Sequence, residues 1–296
     1  MSLARLTLLL IAASIKLIVF SLGLQTTPQD ATLLFRRPRW LLRSLLAMVV
    51  VMPVFAGVLV YALKLPPPVE ITLVVLSVSP VPPILPRKQV AAGGRRSYAL
   101  GLLVAAAVMS ILVTPAAVEL FGRVFDQPFQ MSPGSIARIV ITTVLGPLAV
   151  GMALRRVWPR FAERFAEPLS RAAFVLLVAA VLPVLFVQRS ALMSVIGNGA
   201  LLAMAVFAVV GLATGFFWGG PELADRTVLA LSTASRHPGV AIAIASTNFP
   251  EQKLILPAIL LYLVVSMVVS TLFLGFLRRR GGKSSQGGDK LQSPAA

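Results

Sequence analysis

The sequence predicts an all-α polytopic membrane protein of about nine transmembrane helices, two of them broken part-way. Three observations carry that reading. Of the 296 residues, 57% are hydrophobic and only 12% are charged, with a mean hydropathy of +0.90; a soluble domain carries about twice that share of charge. The polar residues gather between long apolar runs, and a run of roughly 20 residues is what crosses a hydrocarbon core. Basic residues also alternate in density from loop to loop, the pattern left by loops on opposite faces of a membrane.

The first span is read over 3–24. Arg5 followed by an apolar run faintly resembles a signal peptide, but Lys16 interrupts the run, which continues to Leu24 before a basic loop. A spanning helix is expected there. A second span covers 40–63. A third, 69–93, is expected to break at 79–86, where Pro80, Pro82, Pro83 and Pro86 crowd one short apolar stretch. Spans four to seven are placed at 97–121, 134–155, 170–188 and 192–217. In the last of these Gly215 and Gly219 have the spacing of a close helix contact. The eighth, 224–248, carries an arginine, the only histidine and a Pro-Gly pair inside apolar sequence, as Ser235-Arg236-His237-Pro238-Gly239. The ninth is 252–277. Residues 281–296, rich in Gly, Ser, Gln and Lys, read as a disordered cytoplasmic tail. The transmembrane domain is therefore 1–280, with halves of about 1–125 and 134–280.

Loop charge tests this map. Nineteen of the 27 basic residues fall on the first, third, fifth and seventh loops, the adjoining span ends and the tail; six fall on the other side, with Lys16 and Arg236 inside the membrane. The positive-inside bias then puts the N-terminus outside and the C-terminus in the cytoplasm of a multi-pass cell-membrane protein. The net charge of +17 belongs to this topology, since the basic residues flank spans and form no soluble face for nucleic acid. Absence of cysteine removes disulfides, thiolate metal sites and cysteine nucleophiles. One histidine and no pair of intramembrane acids leave the usual intramembrane hydrolases without a catalytic set. A Ser232–His237 or Ser235–His237 pair lacks a third member, and there is no P-loop. No enzyme, metal or cofactor is expected.

The third and eighth spans are five steps apart and so cross in opposite directions. That is the inverted-repeat arrangement, in which discontinuous helices meet near the midplane and form a secondary transporter's binding site. Charge at that depth is costly, and intramembrane ionisable residues default to function. Arg236 has two readings: it presents planar donors to an anionic substrate, or it pairs with carbonyls of the opposite break and serves structure. All ten acids lie in loops, in the tail or near span ends, so none is available to neutralise it. His237 beside it is read as neutral and hydrogen-bonding, with proton coupling the minor alternative. Pro238-Gly239 suits the start of a half-helix, with Ser235 available as its cap and its N–H groups favouring anions. Ser77, Ser79, Gln89 and Thr114 offer oxygens near the first break; Ser232, Thr233, Ser246, Thr247 and Asn248 do so near the second. The predicted substrate-binding set is Arg236, His237, Ser235, Gly239, Ser79 and Thr233. Arg87 and Lys88 are read as a span end snorkelling to the interface.

Several motifs carry a family resemblance. Ser21-Leu-Gly-Leu, Phe35-Arg-Arg-Pro-Arg, Met52-Pro53, Leu65-Pro-Pro-Pro, Ser110-Ile-Leu-Val-Thr-Pro115 and the run from Thr233 to Ala243 resemble, in order and spacing, the bile acid:sodium symporter superfamily. The similarity covers most of residues 15–277. It implies a panel domain and a core domain, two unwound helices crossing in the core, and movement of organic anions, usually driven by sodium. This chain departs from the pattern at both breaks. Ser79-Pro80-Val81-Pro82-Pro83 stands where the family has Gly and Asn, and Ser232, Arg236 and His237 stand where it has Glu, Gln and Asn. Sodium, a hard cation, prefers carboxylate and carbonyl oxygens; an arginine supplies none and repels the ion, which argues against sodium coupling here. The expected function is secondary active transport of a small organic anion by alternating access. The alternative is a non-transporting receptor, scaffold or channel on the same fold.

Overall fold

The computed structural model describes residues 3–124 and 129–288, and these are helical, with no strand among them. In order, α1 is Leu3–Gly23 and α2 Pro28–Ala31. Helix α3, Pro38–Leu45, runs through a π-helical segment, Leu46–Val51, into α4, Met52–Leu63. Then come α5 (Pro67–Ser77), α6 (Leu85–Ala91), α7 (Arg96–Val124) and α8 (Pro133–Val140), the last leading through a second π segment, Ile141–Leu145, into α9 (Gly146–Val157). The rest are α10 (Pro159–Val187), α11 (Arg189–Val195), α12 (Ala200–Trp218), α13 (Leu223–Ala234), α14 (Pro238–Asn248) and α15 (Ile255–Gly288). Among the described residues, eight helical stretches are long and apolar enough to cross a membrane. The third expected span is instead two short pieces, α5 and α6, while α13 and α14 together make the eighth.

Three boundaries differ from expectation, two of them for a clear local reason. The sixth span starts at Pro159 rather than 170, because Pro159 occupies the first helical position, where its missing N–H costs nothing. The added turns bury Ala162 and Ala166 against Leu24. The seventh expected span is divided, since Gly197, Asn198 and Gly199 all take positive φ (143°, 44° and 80°), a conformation that ends a helix. Helix α15 continues to Gly288, into the segment read as a tail; residues 289–296 lie outside the described residues.

Packing sorts the helices into two groups. Helix α1 lies along α9 and α10, and Gly23 and Gly151 let the α1 and α9 backbones touch. The other group holds α4, α5, α12, α13, α14 and α15, where α12 lies along α13. Gly211, Gly215 and Gly219 make that contact possible, because a Cβ on any of them would strike α13 backbone at Ala234, Ala230 or Arg226. The four-residue spacing read from the sequence is a packing ridge, one residue pair longer than expected.

The loops fall on two faces as their charges predict. On one face Arg95 pairs with Asp225 (2.8 Å), Arg37 and Arg95 sit over the Trp40 ring, and Arg96 donates to Gln25. These contacts join the first, third and seventh loops, and Arg155 donates to the Leu24 carbonyl from the fifth. On the other face, Asn248 donates to the Gln130 carbonyl and accepts from its N–H, and Phe129 meets Phe249 edge-on at 5.0 Å.

Candidate functional site

The first break begins where α5 ends at Ser77. Pro80, Pro82 and Pro83 have no N–H to continue a ladder, and each pushes its preceding residue out of helical geometry. Pro86 is harmless because it falls in the first turn of α6, where helices tolerate it. The carbonyls of Val78, Ser79 and Pro80 are thereby left without helical partners. In the second break α13 ends at Ala234, Ser235 is extended (φ −102°, ψ 133°), and His237 is extended (φ −75°, ψ 104°) before Pro238 opens α14.

The two breaks meet, and each orphaned carbonyl finds a donor. The His237 N–H donates to the Pro80 carbonyl at 2.8 Å. Arg236 Nη1 donates to the Ser79 carbonyl at 3.3 Å, and the Thr114 hydroxyl, from α7, donates to the Val78 carbonyl at 2.9 Å. At the end of α13, the Ala234 carbonyl accepts from the Tyr262 hydroxyl at 2.6 Å and from Ser266 at 3.3 Å, both on α15. The helix that follows each broken span thus closes its open end, in both halves. Buried backbone groups in hydrocarbon must be satisfied this way.

Arg236 reaches a third element. Its Nη2 donates to the Met48 carbonyl at 3.2 Å, in the π segment before Pro53. A π-type ladder pairs residues five apart, and Pro53 has no N–H to offer the carbonyl five residues back, which is that of Met48. The arginine supplies it. Arg236 is 1% exposed, its Nε has no hydrogen-bond partner, and among the described residues it joins no ion pair. It also lines a cavity of about 20 Å³ with Met48, Pro53, Ser79, Ser110 and Thr114, room for about one water-sized group.

The predicted site residues divide. Arg236 and His237 sit at the crossing, buried; Ser79 contributes its carbonyl, while its hydroxyl bonds back to Val75. Thr233 also bonds within its own helix, to Leu229. Ser235 ends α13 rather than capping α14; the cap is His237, whose Nδ1 accepts from the Val240 N–H at 3.4 Å, since it stands immediately before Pro238 as a cap must. Its Nε2 is buried without a partner. Gly239 is exposed beneath the His237 ring, which a Cβ there would meet at 3.1 Å. Asn248 is not at the break but at the far end of α14. Gln89 ties α6 to α13 through the Val228 carbonyl (2.8 Å) and the Ser232 hydroxyl (2.7 Å). Arg87 reaches the Ser170 carbonyl and stacks over Phe174 instead of only snorkelling. Sequence reasoning missed Met48, Tyr262 and Ser266. Met48 carries no signal of its own, since Pro53 points to it only through the π ladder; a tyrosine within the apolar stretch of α15 is the signal for the second.

The profile of the Sodium Bile acid symporter family matches residues 12–195. The chain belongs to the sodium bile acid symporter family. The matched segment takes in the first break and stops ahead of the second. The uncharacterized sodium-dependent transporter YocS of Bacillus subtilis (strain 168) is 21% identical over 238 residues, 79% of this chain and 72% of that protein. Family, relative and apolar helices together support a multi-pass membrane transporter.

Proposed function

We propose that this family member moves a small organic anion across the cell membrane by alternating access, with Arg236 as a fixed positive charge in place of a sodium ion. One observation carries the reading: a fully buried guanidinium, paired with no acid among the described residues, bonds to carbonyls of the first break and of the π segment. Those oxygens are the kind that a hard cation would otherwise take. Donors already occupy them, and a guanidinium a few ångströms away repels a second cation. The unpartnered Nε–H of Arg236 and Nε2 of His237 remain for substrate, and a carboxylate, sulfonate or phosphate fits them. The cavity beside Arg236 is smaller than such an anion and is walled by the first break, the π segment with α4, and α7, so entry calls for these elements to part. Movement of the α1–α9–α10 group, acting as panel, against the core is the step we assign to that opening. The positive-inside bias supports a cytoplasmic basic loop face, with the N-terminus outside.

The test is a thermal-shift screen of purified protein against monovalent organic anions, in sodium and in choline, followed by uptake of the hits into proteoliposomes preloaded with the same anion. Saturable uptake that is indifferent to sodium is expected. Binding without flux would favour a receptor, and strict sodium dependence would remove Arg236 from the role assigned to it.

A further inference from the structure

A sodium ion can leave a carrier; an arginine side chain cannot. Arg236 stands between α13, 12 residues, and α14, 11 residues. At 1.5 Å per residue each half-helix covers about 17 Å, which places Arg236 near the middle of a hydrocarbon core about 30 Å thick. The acids on these elements are far from it along the chain: Asp225 lies in the first turn of α13 and is bound to Arg95, and Glu70 lies in the first turn of α5. The partners of Arg236 are carbonyl dipoles alone. They take one N–H from each of its two terminal nitrogens, leave Nε unpartnered, and leave one whole positive charge on whatever moves with the breaks.

Resting on the transport reading above, we propose that Arg236 is a mobile membrane charge that makes this protein an exchanger of monovalent organic anions. With an anion bound at Arg236 the moving unit is neutral, and its stroke is indifferent to membrane potential. With the site empty the unit carries +1. A full charge crossing the field shifts the distribution between inward- and outward-facing states by about fiftyfold per 100 mV. An inside-negative potential therefore holds the empty core facing the cytoplasm until an internal anion neutralises Arg236 and lets it return. One anion enters as another of equal charge leaves, and net uptake into an anion-free compartment is slow.

Charge movement can be read without knowing the substrate. Voltage steps are applied to cells expressing the full chain, in choline medium with neither sodium nor added organic anion. The expected signal is a saturating transient current of at most one charge per protein. It is the same in sodium and in choline and unchanged between pH 6 and 9, because a guanidinium stays protonated throughout. It is retained in Arg236→Lys and lost in Arg236→Gln at equal surface level. A wild type without the transient overturns the proposal, as does a transient that survives in Arg236→Gln. A transient that depends on sodium assigns the charge to the ion, and one that disappears as pH rises assigns it to His237; either also overturns it. The wild-type recordings decide even if Arg236→Gln fails to reach the surface. Anion uptake without charge movement would sink this inference and leave the transport reading standing; charge movement with no anion flux would sink the transport reading and the exchange built on it.

Discussion

Arg236 holds two pieces of backbone that the sequence leaves unpaired, and each bond traces to a residue that removed a donor. Pro80 and its neighbours free the Ser79 carbonyl, and Pro53 frees that of Met48. Two other side chains do the same work, and their costs differ. Thr114 is the donor that reaches the Val78 carbonyl, so Thr114→Val leaves a buried acceptor unpaired, at about 1–3 kcal/mol. Tyr262→Phe removes one of two donors to the Ala234 carbonyl and leaves Ser266 in place, so about 0.5–1.5 kcal/mol is expected. Thermal unfolding in detergent should rank Thr114→Val as the more damaging; the reverse order would contradict the pairing described. For substrate, a desolvated charge-assisted contact contributes about 1.5–3 kcal/mol. Arg236→Gln is accordingly expected to weaken anion binding by about ten- to a hundredfold, read by titration calorimetry with an anion found in the screen.

At the scale of the element, the two interrupted spans were the most legible feature. Proline clusters and an intramembrane Arg-His-Pro-Gly can be read directly, because they remove N–H groups or bury charge. The partners of those breaks were less so. Met48 is an ordinary apolar residue, and its role depends on a π segment that shifts the ladder by one position, which no residue pattern announces. Hydroxyls were over-read for a related reason: Ser79 and Thr233 turn back to their own helices, the usual habit of small hydroxyls in membrane helices. The glycine ridge was half-read, as the Gly215–Gly219 pair without Gly211. It carries its own prediction. A Cβ at Gly215 runs into the backbone of Leu229 and Ala230, whereas one at Gly275 meets nothing within 4 Å. Gly215→Ala should lower the melting temperature by an amount corresponding to about 1–3 kcal/mol of overpacking, while Gly275→Ala leaves it unchanged. Equal effects would mean that α12 and α13 do not rest on one another there.

For the whole molecule, loop charge anticipated which loops share a face, and the Arg95–Asp225 and Asn248–Gln130 contacts lie on opposite faces accordingly. A cytoplasm-active reporter fused to the C-terminus should therefore be active and a periplasm-active one silent; the opposite pattern would invert the orientation. The division into helix groups was not visible in the residues, because it depends on long-range packing such as Gly23 against Gly151. The central claim joins these scales: one arginine, fixed where two broken helices and a π segment converge, stands in for the ion. It is tested most directly by wild-type uptake of an organic anion into proteoliposomes preloaded with the same anion, with sodium replaced by choline at constant ionic strength. The account predicts the same initial rate in both media, and uptake that ceases in choline would contradict it.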